Sequence, residues 1–113
     1  MLVLLGCVSP PSIPDEMLTK EKMATILTEV HLHQTYVARM NLGSSDSSQI
    51  AYNYLEKAIF KQLKIDTASY KKSFMFYSMN PEYMKEIYEI VHTNINKKLD
   101  SINKKTQSTR ITK

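Results

Sequence analysis

Apolar residues recur at helical spacing along most of this chain, and four segments carry the pattern. The first runs from about Thr19 to Asn41, with Met23, Ile26, Leu27, Val30, Val37 and Met40 on its apolar side and Thr19 placed to cap its start. Gly43 and the serine-rich stretch 44–48 end it and supply caps for the next segment. The second covers about Ser48 to Lys64 and presents Ile50, Tyr54, Ala58 and Ile59, with Leu55 and Leu63 beside them. Asp66 caps a third, from about Thr67 to Met79, where Tyr70, Phe74 and Tyr77 form an aromatic stripe. Asn80-Pro81 restarts the chain, asparagine as cap and proline in the first turn.

The fourth segment is the clearest. Met84, Ile87, Tyr88, Val91, Ile95, Leu99 and Ile102 lie along one side, while Glu82, Lys85, Glu86 and Glu89 face outward. No strand-like alternation of useful length interrupts these patterns, and short links favour antiparallel neighbours. The expected fold is all-α: a small antiparallel bundle of about four helices over residues 19–102, with an extended N-terminal tether and a disordered basic C-terminal tail.

Composition sharpens this picture at both ends. With 113 residues the chain is one domain, large enough for a modest core. Its single cysteine excludes an intrachain disulfide, and no cysteine–histidine cluster suggests zinc. Three of the four prolines, Pro10, Pro11 and Pro14, gather near the N-terminus as a stiff leader, with Pro14-Asp15-Glu16 placed to form a short turn. The net charge is +4, yet from Lys97 onward six basic residues face one acid, so residues 1–96 carry −1. The basicity belongs to the tail. Residues 103–113 have the Ser/Thr/Lys composition of a frayed, solvated extension, which makes nucleic-acid binding a weak expectation.

The lone cysteine is the most informative single residue. Leu4-Leu5-Gly6-Cys7 has leucine three residues before cysteine and glycine directly before it, the pattern of a bacterial lipoprotein processing site. On that reading residues 1–6 are the remnant of a signal peptide, Cys7 carries a lipid, and residues 7–18 are the tether. A full signal has a basic n-region and about 7–15 apolar residues. Here Met1-Leu2-Val3-Leu4-Leu5 matches only its last part, so either the start lies upstream or the match is accidental. No segment approaches the roughly 18 apolar residues of a spanning helix, leaving the lipid as the membrane contact.

These features occur together with Ile26-Leu27-Thr28-Glu29-Val30-His31-Leu32, Leu63-Lys64-Ile65-Asp66, Tyr70, Phe74, Tyr77, Asn80-Pro81 and Ile87-Tyr88. In that order and spacing the chain resembles a family of small, uncharacterised helical lipoproteins common in Bacteroidetes-type bacteria, over roughly residues 4–99. The resemblance implies an envelope location and brings no reaction, cofactor or catalytic residue.

The candidate chemical groups are better explained as structure. His31 and His33 are two apart, about 200° around a helix, and cannot chelate one ion together. Glu29 and His33 share a face, but two ligands do not complete a site, and His92 is far along the chain. No metal site is expected. His31 is instead expected to make a partly buried hydrogen bond that orders helix packing. Glu82, Glu86 and Glu89 fall on the wet face near a helix N-terminus, where acids are favourable without chemistry. With glycine only at positions 6 and 43 there is no phosphate-binding loop, and the serines lack partner bases.

The expected protein is not an enzyme, uses no cofactor and takes no small-molecule substrate. It is expected at the outer membrane, held by a lipid on Cys7, with the bundle binding an envelope protein and Tyr36, Tyr52 and Tyr83 as contact residues. Val8-Ser9-Pro10-Pro11 lacks the acidic cluster of many surface-exported lipoproteins, which favours the periplasmic side. The alternative is a soluble cytoplasmic helical protein that binds an acidic partner or nucleic acid through residues 97–113.

Overall fold

The first three helices each begin where a side chain satisfies a free amide. The computed structural model describes residues 11–111, with side chains as far as Gln107. Helix α1 spans Lys20–Met40, and the Thr19 hydroxyl accepts from the Lys22 amide at 3.1 Å. Helix α2 spans Ser45–Gln62, starting under Ser44, whose hydroxyl accepts from Ser47 N at 3.1 Å. Helix α3, Thr67–Ser78, starts under Asp66, whose carboxylate accepts from Ser69 N at 3.2 Å. Helix α4 runs Pro81–Ile111. The all-helical bundle expected from the pattern is the fold of the chain.

The stops are equally local. Asn41 ends α1 in the left-handed conformation (φ 49°), and Gly43 turns the chain at φ 80°, a region open to glycine without a Cβ penalty. Lys64, at φ 55°, closes α2 while Ile65 N donates back to Phe60 O at 2.8 Å, the six-to-one bond of a Schellman stop. Asn80 works in the opposite sense to the one its sequence position suggests. Its side-chain amide donates to Phe76 O at 2.7 Å, so it finishes α3 rather than capping α4.

Helix α1 is the centre of the bundle. α2 returns antiparallel along it, with Tyr52 hydroxyl reaching Gln34 O at 3.4 Å. α3 and α4 form a second antiparallel hairpin. α4 therefore runs parallel to α1, and their contacts climb together: Lys20 to Glu86, Thr28 to Asn94 (3.3 Å), Glu29 to Lys98. The main core holds Met23, Ala24 and Leu27 of α1, Tyr77 of α3, and Ile87 and Val91 of α4. Ile26 and Val37 of α1, with Ile59 and Phe60 of α2, are buried outside that cluster.

Two apolar faces depart from expectation. Of the set predicted for α2, Ile59 is buried but Ile50 and Tyr54 are 70% and 74% exposed, and Phe60 is buried beside Ile59. α2 packs mainly on one neighbour, so it buries a narrow seam. In α3 only Tyr77 of the aromatic stripe is fully buried; Tyr70 is half-buried and Phe74 emerges to solvent.

At the N-terminal side the body begins before Thr19, since Ile13 and Leu18 pack on the core. At the C-terminal side α4 continues past Ile102, through residues assigned to the tail. No glycine or proline interrupts 82–111, and lysine and glutamine sustain a helix without packing. Residues 103–107 are exposed throughout, so this stretch keeps the solvated character expected of it.

Candidate functional site

Two surfaces are built by this fold, at opposite ends of α1. The first is the corner where α3 turns into α4, and it grips the leader. Tyr77 is fully buried, and its hydroxyl donates to Leu18 O at 2.6 Å. Ser73 Oγ, also buried, accepts from Leu18 N at 2.9 Å and donates to Ser69 O at 2.7 Å. Tyr83 donates to Pro11 O at 2.8 Å, and its ring meets that of Tyr77 edge-on, with centroids 6.1 Å apart. Lys72 pairs with Glu16 at 3.2 Å, and Met17 N donates to Pro14 O at 3.0 Å, closing the turn expected at Pro14. Lys20 pairs with Glu86 and lies 5.5 Å from the centre of the Tyr83 ring.

The second surface is the α1–α2 hairpin. Leu32, His33, Tyr36 and Leu55 line an open, mainly apolar groove of about 360 Å³. Exposed Ile50 and Tyr54 stand on α2, and Met40 lies exposed at the end of α1. A second groove, between Val30 and Gln34 of α1 and Gln49, Tyr52, Glu56 and Ile59 of α2, is polar on its outer side.

The three tyrosines expected as contacts have separate fates. Tyr36 is 59% exposed and lines the apolar groove. Tyr52 is half-buried in the second groove. Tyr83 is not a free contact residue: it is half-buried, packed on the core and bonded to Pro11. Its position in the first turn of α4 suggested exposure, and docking of the leader covers it. Tyr54, assigned to the core by its spacing, is exposed instead. Cys7 and the processing pattern before it lie outside the described residues.

The packing hydrogen bond expected of His31 is not found among the described residues: His31 is half-buried beside Tyr88, ring centroids 6.1 Å apart. His33 Nδ1–H donates to Glu29 O at 2.7 Å, a bond within its own helix. The Glu29 carboxylate is taken by Lys98, with His33 Nδ1 4.0 Å away. Among the described residues no three His, Cys, Asp or Glu side chains converge on a possible metal position.

Shifted protonation at the corner follows from packing. Burial pushes the Tyr77 hydroxyl above the ordinary tyrosine range, against an opposing pull from Lys20. Burial does the same for Tyr70, with Glu56 adding to it. The hydrogen bond that Lys20 donates to the Glu86 carboxylate raises Lys20. All three shifts hold the groups protonated at neutral pH, as donors in fixed bonds or packed rings. None produces a base or a nucleophile.

A domain family described as a domain of unknown function, DUF4296, matches residues 14–101. The chain belongs to the DUF4296 family. That match starts at Pro14, inside the leader that the corner holds, so Leu18 with its bonds to Ser73 and Tyr77 lies within the family's span along with all of α1–α3, while Pro11 and Ile13 precede it. No curated protein and no solved structure matches the chain.

Proposed function

We propose that this DUF4296 protein is a lipid-anchored envelope lipoprotein that works as a non-catalytic helical interaction module at the periplasmic face of the outer membrane. The observation that carries the reading is Leu4-Leu5-Gly6-Cys7, whose cysteine lies four residues ahead of Pro11, a residue bonded to the body. A processing cysteine placed there leads almost directly into the fold. No helix of the described residues is long and apolar enough to cross a membrane, so attachment falls to the lipid. Stable anchoring needs more than one acyl chain, at about 0.8 kcal/mol per buried methylene.

The interaction role is supported by the α1–α2 groove at Leu32, His33, Tyr36 and Leu55, a shape that suits an apolar side chain of a partner protein. The buried polar groups are spent on architecture: Thr28 donates to Ala24 O at 2.7 Å, and Ser73 and Tyr77 hold Leu18. The test is membrane fractionation of the protein expressed from its native locus, beside Cys7→Ala. Retention of the first in the outer membrane and release of the second is the expected result; two soluble proteins would refute the anchor.

One observation keeps a second reading in play. α4 presents Lys97, Lys98, Lys104 and Lys105 on an exposed helical extension, suited to an acidic partner or a nucleic acid. That reading predicts binding through residues 97–113 that weakens steeply with salt and falls away when that stretch is removed.

A further inference from the structure

Resting on the Cys7 anchor proposed above, we infer that the bundle meets the membrane with its α3–α4 corner, where Met75 and Met79 enter the lipid interface. Among the described residues the leader is fastened to this corner: Pro11 by Tyr83, Leu18 by Ser73 and Tyr77, with Ile13 and Leu18 packed beneath. From Cys7 to Pro11 is four residues, and a fully extended chain covers at most about 3.6 Å per residue, so about 14 Å in all. The 21 residues of α1 carry its far end about 30 Å away, and the 31 residues of α4 span about 46 Å. A leash that short keeps this corner near the bilayer surface, and the apolar side chains exposed there give it a face to set into the lipid.

The corner is dressed for such a surface. Met75 and Met79 lie one turn apart on the outer face of α3 and are 67% and 76% exposed. Unbranched thioethers adapt to a disordered interface at little conformational expense. The only charged side chains within α3 are Lys71 and Lys72, one turn back from the methionines, and no acid interrupts the face. Lys72 is already paired with Glu16, and Glu82 and Glu86 follow on α4, so the corner as a whole is close to neutral. The contact is therefore apolar and does not require anionic lipid.

In the lipidated protein the Cys7 thiol is consumed, so an introduced cysteine is the only free one. The full lipidated chain carrying Met79→Cys or Met75→Cys, labelled with a polarity-sensitive fluorophore, is reconstituted into phosphatidylcholine vesicles containing spin-labelled lipid. Tyr36→Cys and Leu99→Cys serve as distant positions. At 75 and 79 we expect blue-shifted emission and quenching several-fold stronger than at 36 or 99. Equal quenching at all four positions, or more at 99, on protein that floats with the vesicles overturns the orientation while leaving the anchor intact. Failure of the wild-type chain to carry a lipid or to float overturns the anchor and this inference with it. Quenching at 79 that appears only when phosphatidylglycerol is added would transfer the contact to Lys71 and Lys72, and overturns the apolar assignment.

Discussion

The two ends of α1 are built from the same kinds of residue and put to opposite uses. At its start, α3, α4 and the leader converge, and aromatic side chains are sealed: Tyr77 is fully buried with its hydroxyl engaged, and Phe76 and Tyr83 pack around it. At its other end α2 is the main neighbour, and Tyr36, Ile50 and Tyr54 stand in water. Tyrosine is structural at the first end and available for contact at the second. What decides is the number of elements that meet, since a side chain is buried only when neighbours surround it. The fold thus seals Tyr77 near the leader and leaves Tyr36 and Tyr54 exposed on the hairpin, with Met75 and Met79 the apolar side chains most exposed at the corner.

The sharpest way to break this contrast is a pair of truncations of the same residue type. Tyr77→Ala removes a fully buried aromatic ring and strands Leu18 O, so a loss of about 3–5 kcal/mol is expected. Against a total of about 5–15 kcal/mol for a domain, that leaves much of the protein unfolded or marginal in urea denaturation. Tyr54→Ala, on the hairpin, is expected to stay within about 0.5 kcal/mol of wild type. Comparable losses for the two would show that the hairpin is as tightly built as the corner.

A smaller effect tests how firmly the leader is held. Tyr83→Phe keeps the ring and its packing but removes the bond to Pro11 O, a loss of about 0.5–1.5 kcal/mol. Because Pro11 is exposed, the lower part of that range is expected. Hydrogen exchange should quicken at residues 12–18, with little change on α2. Unchanged exchange there would mean that Ser73 and Tyr77 hold the leader without help.

The sequence shows the local rules of this fold well and its tertiary choices poorly. Thr19 and Asp66 announce their helices because a cap needs only its own neighbours, and the Ile87–Val91 row of α4 is buried as its spacing requires. Ser73 could not have been nominated for the core: its burial depends on Leu18, fifty-five residues earlier, arriving with an amide to satisfy. The face of α2 was legible only in part for a related reason: Ile50, Tyr54 and Ile59 all fit a helical row, and only the packing on α1 selects Ile59 for burial. His31 and His33 are separated by the same kind of choice. The first meets Tyr88 across the bundle, whereas the second bonds its own helix.

Alkaline titration probes the sealed end from another side. Tyr77 and Lys20 both have raised values in the folded state, so the folded protein holds these protons after the unfolded chain has begun to release them. Their contribution is complete below about pH 10, near the unfolded tyrosine value, and falls as pH rises through the folded values. Thermal melts between pH 8 and 11 should show a Tm that starts to fall near pH 10. In Tyr77→Phe, which starts lower for want of one hydrogen bond, that fall should be shallower. An equal slope in both proteins would place the sensitive groups elsewhere, with Tyr70 the next to test.

The smallest effect expected is at the free end of α4. Residues 103–107 are helical and exposed, so they bury nothing in the core. Ending the chain after Ile102 should leave the urea midpoint within the error of a measurement, about 0.5 kcal/mol, and reduce helical circular dichroism by the residues removed. The pair one turn earlier, Lys98 with Glu29, is partly exposed at both partners, and Lys98→Ala should cost no more than about 1 kcal/mol. If the truncation instead destabilises the bundle by more than the Lys98 change does, the extension folds back on the hairpin end in solution. The free apolar surface there would then have an occupant from its own chain.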